Sequence, residues 1–332
     1  MGDPGYHPGV KRGGWTLAFL TGGAALLALL ARRLPSPDLH VPALSAVPAG
    51  ATFLALARPV ELRAAGLWKL PVGALPARLL QRVSSTCGKD PLEGVDEIAV
   101  ATPASALDGA FGIAVTGVFR AAPWEACLLR LARDDGKSLD VRRPEEADRF
   151  VRLTDPSGDG QATIALADGV LLAGSARYVA DMRETLAGRR VSAATDPLHA
   201  GLRRDAPASA LIASLRLTAD TREAIRLEIR DPTAPAARIV GLLGSVTLGQ
   251  KTTLRAVVAC EDDAAGRAMT DVLARLADDA EASTTARFLG LVPLLRTRTL
   301  ATEGRAAVLT AVATPETAAA LGAALGTALA PP

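Results

Sequence analysis

The segment Gly13 to Ala31 carries no charged residue and is closed by Lys11 and Arg12 on one side and by Arg32 and Arg33 on the other. Its nineteen residues would rise about 28 Å as a helix, close to the roughly 30 Å hydrocarbon core of a bilayer. Leu17 to Leu20 and Leu26 to Leu30 supply the apolar character, while Thr21, Gly22 and Gly23 add little transfer energy. The segment therefore reads as a single N-terminal transmembrane helix over residues 13–31. The competing reading is a cleaved secretory signal. Against it, Leu29 sits where cleavage wants a small residue ahead of Ala31, Arg32 and Arg33 follow at once, and no cysteine is placed for lipid attachment.

The basic residues on the two sides nearly cancel as an orientation signal. The short leader, residues 1–12, contains Gly2, Pro4, Gly5, Pro8 and Gly9 and suits a cytoplasmic stub. The expected localisation is then the cell inner membrane, single-pass, with the C-terminal body in the periplasm or otherwise outside the cytoplasm. Residues 32–48 carry prolines at 35, 37, 42 and 48 and read as an extended tether.

Cysteine use bears on the same compartment. Of Cys87, Cys127 and Cys260, the first two are the candidate disulfide, Cys87 closing a helical segment from Leu75 to Thr86 and Cys127 lying on the apolar stripe of the next helix. A bridge would close a loop of about forty residues and add roughly 4 kcal/mol by the chain-entropy argument. Two unbridged buried thiols are the other reading. Cys260 alternates in phase with Leu254, Ala256 and Val258 and belongs to a strand core.

Beyond the tether a local pattern recurs four times: two strands, a turn, an amphipathic helix. The first unit is Glu97 to Ala101, Phe111 to Phe119 and a helix from Pro123 to about Arg133. The second is Gln161 to Ala167, Val170 to Ala173 and a helix Ala176 to Leu186, with Asp168-Gly169 as a tight hairpin signal. The third is Leu243 to Leu248, Thr252 to Cys260 and a helix from Asp262 to about Ala280. The fourth is Arg298 to Thr302, Arg305 to Ala313 and a helix from Pro315 to about Leu329. The fold class expected is α+β, with antiparallel sheets built from strand-strand-helix units and helices on one face. A division near residue 200 gives two α+β halves, 49–200 and 201–330.

Functional signatures are sparse. Basic residues number 37 and acidic residues 35, and only 11 of 332 are aromatic, so the chain has neither the clustered positive charge nor the stacking residues of a nucleic-acid binder. His7 and His40 fall in the leader and tether, leaving His199 as the one histidine of the body. It has no ligand-spaced partner and reads as a solvated residue at a helix start. No serine stands in a nucleophile elbow; Ser175 after Gly174 reads as a helix cap. Gly241, Gly244 and Gly249 lack the context of a dinucleotide site.

The run Asp155-Pro156-Ser157-Gly158-Asp159-Gly160 opens like a calcium loop, but its twelfth position is Leu166, so it reads as a hairpin loop. The acids of Asp90 to Glu97 read as a solvated turn around Pro91 and Gly94. No catalytic residue, metal ligand or cofactor is assigned, and small-molecule ligands are left open.

The order of an anchor, a proline-rich tether, VPAGATFLALA, DPLEGVDEIAVAT, FGIAVTGVF and a cysteine-bearing helix resembles uncharacterised bacterial membrane-anchored extracytoplasmic proteins classed as domains of unknown function. The resemblance covers the first half of the body and implies an exported, tethered α+β domain. The expected function is a non-enzymatic binding or scaffold module of the envelope, contacting the membrane through residues 13–31 and an envelope protein through its body. The alternatives are an enzyme whose site gathers dispersed residues, such as carboxylates, Arg58 or Arg120 and His199, and a structural assembly subunit.

Overall fold

The computed structural model describes residues 41–64, 77–88, 90, 93–103, 110–144, 149–156, 162–203, 209–229, 234–249, 251–284, 287, 292–314 and 317. The expected leader, the expected anchor 13–31, the expected tether up to residue 40 and all but residue 317 of the expected C-terminal helix lie outside the described residues. No helix among the described residues is long and apolar enough to cross a membrane.

Among the described residues twelve strands form one antiparallel sheet. In chain order they are β1 (Phe53–Ala57), β2 (Val95–Thr102), β3 (Gly112–Gly117), β4 (Asp140–Arg142), β5 (Val151–Thr154), β6 (Ala162–Ala167), β7 (Val170–Ser175), β8 (Ser209–Arg216), β9 (Ile239–Thr247), β10 (Thr252–Cys260), β11 (Thr299–Glu303) and β12 (Ala306–Ala313). Their order across the sheet is β11-β12-β10-β9-β8-β1-β2-β3-β7-β6-β5-β4. The helices are α1 (Pro59–Ala64), α2 (Ala77–Cys87), α3 (Ala121–Asp134), α4 (Ala176–Leu186), α5 (Pro197–Arg203), α6 (Ala219–Ile229), α7 (Asp263–Ala282) and α8 (Val292–Arg296).

The hairpins follow from local chemistry. Ala167 pairs with Val170 across the two-residue turn Asp168-Gly169, and Gly169 takes the positive φ of 73° that a side chain would resist. Along β2 the residues Val95, Glu97, Ala99 and Ala101 are buried in strict alternation, the period-two signature of a strand packed on one face.

The register shows which residues share a face. Leu54 aligns with Ala101 and Ser214, Ala101 with Gly112, Ser214 with Leu243, and Leu243 with Val257. This face carries the main core, in which Val179 and Met182 of α4 pack with Ala114, Leu172, Ile212 and Val308. A Cβ on Gly112 would collide with the Tyr178 ring and lie 2.6 Å from the Met182 sulfur, so the glycine lets α4 sit directly on the sheet.

The opposite face carries α7. Cys260 and Ala307 pack there with Ala265 and Met269, joined by Val258 and Val272. Helices thus lie on both faces, which corrects the expectation of one helical face. The physical reason is the run Ala256 to Cys260, apolar at every position, so that β10 can accept cover from either side.

The tether also ends earlier than its prolines suggest. Ala43–Ala46 form a 3-10 turn bracketed by Pro42 and Pro48, and Leu44 and Val47 are buried in the main core. Ala49 donates to the Val191 carbonyl and Ala193 to the Val47 carbonyl, so the folded body begins near Val41.

Candidate functional site

His199 is fully buried, which overturns its reading as a solvated residue. Its Nε2 lies 2.7 Å from the Ala51 carbonyl oxygen and its Nδ1 2.7 Å from Ser214 Oγ. A carbonyl can only accept, so Nε2 carries the proton; in the neutral ring Nδ1 then accepts from the Ser214 hydroxyl. Asp196, itself 4% exposed, accepts from the backbone amides of Leu198, His199 and Gly50 at 3.1, 3.3 and 3.2 Å and pairs with Arg216. Burial pushes the Asp196 carboxyl up, but the Gly50 and His199 amides and the Arg216 guanidinium outweigh it and hold the group below its ordinary value.

Serine, histidine and aspartate therefore meet here, but not as a nucleophile and its base. Ser214 is 1% exposed, the second imidazole nitrogen faces a backbone carbonyl, and Asp196 holds the His199 amide in place of its ring. The group is a clasp joining the segment before β1, β8 and the first turn of α5.

The dispersed charges named from sequence go to separate partners. Arg58 Nε lies 3.3 Å from Glu97 Oε1, while Glu97 Oε2 accepts from the Ala43 amide at 3.0 Å. Glu97 is consequently buried, unlike the solvated acid expected, and it anchors the 3-10 turn to β2. Arg120 pairs with Asp168 at 3.0 Å on the surface. The Ala121 amide donates to Asp168 and is the main cause of its carboxyl lying below the usual range. Arg58, Arg120 and His199 thus each serve a different structural contact.

Asp155, at the head of the calcium-like loop, pairs with Lys137 at 3.0 Å; residues 157–160 lie outside the described residues. No group of three or more histidine, cysteine, aspartate or glutamate side chains suited to a metal occurs among the described residues. Ser175 does stand at the N-cap of α4, but its side chain makes no capping bond.

Cys87 and Cys127 are bonded to each other, tying α2 to α3 with their Cα atoms 5.2 Å apart. Beside the bond lies a cavity of about 210 Å³ lined by Pro123, Trp124, Ala126 and Arg130. A larger groove of about 370 Å³ opens between α4 and the outer strands β4, β5 and β6, with Arg142, Arg152, Arg183, Thr154 and Thr163 in its walls. Sequence reasoning missed these arginines. Arg142 and Arg152 show only as charges inside short strands, and what makes them neighbours is the β4–β5 register, which the sequence does not display.

No protein-family model matches this chain, and no curated protein is significantly similar to it. Solved structures of TP0453 are similar in outline. Crystal form I has 9% identity over 86% of this chain and 99% of that one, with a TM-score of 0.49. Form IV has 10% identity, coverage of 88% and 97%, and a TM-score of 0.49. Form III has 13% identity, coverage of 85% and 98%, and a TM-score of 0.47.

Proposed function

We propose that this chain is a membrane-tethered extracytoplasmic module of the cell envelope, a non-enzymatic binding or scaffold protein. Residues 13–31 cross the inner membrane once, and the body from about Val41 stands on the far side. The observation that carries the reading is the bond between Cys87 and Cys127, because disulfides form and persist in oxidising compartments and are rare in a reducing cytosol. The uncharged run and its basic borders supply the tether. The buried, backbone-directed bonds of the Ser214, His199 and Asp196 clasp support a structural role in place of catalysis.

Alkylation of thiols in denatured membranes, with and without prior reduction, tests the compartment. We expect one labelled cysteine, Cys260, before reduction and all three after it. Three labelled cysteines without reductant would overturn the reading. Crosslinking of the full chain in intact envelopes tests the binding role, and a specific envelope component recovered from independent preparations is the expected result.

A further inference from the structure

We propose that residues 315–329 of this chain dock on the sheet over β10 and β12, in the place that corresponds to the one α4 takes over β3 and β7. From the central antiparallel pair β1 and β8, five strands lead outward on either side in one order, β1-β2-β3-β7-β6 and β8-β9-β10-β12-β11. The bonds repeat as well. Ala167 pairs with Val170 and Glu303 with Ala306 across two-residue turns, and the Gly117 and Cys260 amides donate to the Gly169 and Arg305 carbonyls of those turns at 3.1 and 2.9 Å.

In this correspondence Val308 stands where Leu172 stands. Val257, its partner on β10, stands where Ala114 stands, the partner of Leu172 on β3. An approximate two-fold axis normal to the sheet between β1 and β8 relates the two sets and keeps each face on its own side. The place matching that of α4 is therefore on the face of Val257 and Val308.

Those two valines are 6% and 2% exposed, although neighbouring strands shield a side chain only at its flanks. Among the described residues, the helices that pack on β10 and β12 are α7 and α8. Both stand on the other face, α7 against Cys260 and Ala307, and Leu294 of α8 against Leu254 and Ala313. On the valine face α5 reaches β9, where Leu198 lies over Gly241. The burial of Val257 and Val308 calls for a further cover.

The chain delivers one at this point. Strand β12 ends at Ala313, and Thr314 Oγ accepts from the Thr317 amide at 3.3 Å, the bond of a helix start. As a helix, residues 315–329 rise about 22 Å, close to the roughly 26 Å of the eight-residue β12. No charge follows Glu316 in this stretch, and Leu321, Leu325 and Leu329 recur at every fourth position as one apolar stripe. Volumes are complementary too. Helix α4 sets Tyr178 and Met182 over Gly112, whereas residues 318–326 are alanine and glycine except for Leu321 and Leu325 and would meet the larger Val257 and Val308.

The test uses the full chain. Val308→Cys and, as a reference under α4, Leu172→Cys are exposed to a maleimide under native conditions, and the labelled site is read by mass spectrometry. Both should be protected. Adding Leu321→Asp and Leu325→Asp should speed labelling at 308 at least about tenfold by local opening and leave 172 protected. Protection at 308 that is the same with and without the aspartates overturns the proposal.

If both sites open, the aspartates have cost the fold, and crosslinking without them decides. Ala301 is exposed and pairs with Val308 at the edge of the same row. With Ala301→Cys, a short bismaleimide should join at least one of Ala323→Cys, Ala324→Cys, Leu325→Cys and Gly326→Cys, which together span a helical turn, within a single chain. Products between two chains only would make a second copy the occupant, and no product at any of the four would leave the place to a different partner; either result overturns the proposal.

Discussion

The units β6–β7–α4 and β9–β10–α7 follow the same local pattern yet put their helices on opposite faces of one sheet. Helix α4 joins a cluster that runs from Leu44 and Val47 across β1, β2, β3 and β7 to Val308, whereas α7 rests on a small cluster around Cys260, Met269 and Ala307. Both helices approach the strands through a glycine. Gly112 clears space for the side chains of Tyr178 and Met182, while Gly266 of α7 would place a Cβ 2.7 Å from the Arg305 carbonyl carbon. A repeated pattern therefore sets the elements without setting their side; the side is decided by which rows of the strands are apolar.

The sharpest way to break this comparison is to empty the two helix seats in turn. Met182 is fully buried within the large cluster, and Met182→Ala should lower unfolding stability by about 3–5 kcal/mol in urea titrations. Met269→Ala should cost less, about 2–3 kcal/mol, because its partly buried neighbours Val272 and Leu273 can close around the gap. Equal losses would mean that the two faces are equivalent.

Next comes the disulfide, which ties α2 to α3 and lies outside both units. Its sequence separation of 40 corresponds to about 4 kcal/mol in the chain-entropy argument. Replacing Cys87 and Cys127 by alanine should lower stability by up to that amount. Hydrogen exchange should rise first in α2 and α3 while α7 keeps its protection.

The clasp between the regions gives a pH-dependent effect. The folded Asp196 carboxyl lies below its ordinary value of 3.8, so it binds its proton less tightly than in the unfolded chain. Its contribution is fully present above about pH 3.8 and is lost as the pH falls through the lower folded value. Asp196→Asn should cost about 1–3 kcal/mol near neutral pH. The gap between variant and wild type should narrow in acid unfolding below that point. A gap that stays constant with pH would remove the carboxylate from the account.

The smallest effect separates packing from polarity under α4. Tyr178 is buried, and its hydroxyl has no hydrogen-bond partner among the described residues. Burial, with the Asp181 carboxylate adding to it, pushes the phenol well above its usual range. Tyr178→Phe keeps the ring over Gly112 and should raise the melting point slightly, by the equivalent of about 1 kcal/mol. A loss would show that the hydroxyl has a partner.

The elements that could be read from sequence were those with clear punctuation. Ala176–Leu186 and Thr252–Cys260 occupy the ranges that their periodicity and bordering residues imply. Strand β8 escaped notice because its buried row carries Ser209 and Ser214, whose burial is satisfied by Thr247 and His199, so the apolar alternation is broken where the partners sit. The short strand β4 and helix α1 are too brief for a period to show.

Strand order was equally hidden. Strand β1 lies between β2 and β8, joining segments on either side of residue 200 in one sheet. The same holds for the arginine groove, in which Arg142, Arg152 and Arg183 converge only through register and the placement of α4.

The central claim, a body moored outside the cytoplasm, is tested most directly by a reporter active only in the extracytoplasmic compartment, fused after Pro332 of the full chain and assayed in carbonate-washed membranes. The account predicts an active reporter that stays with the washed membranes. A reporter silent there but active as a cytoplasmic fusion, or a chain released by carbonate, would contradict it.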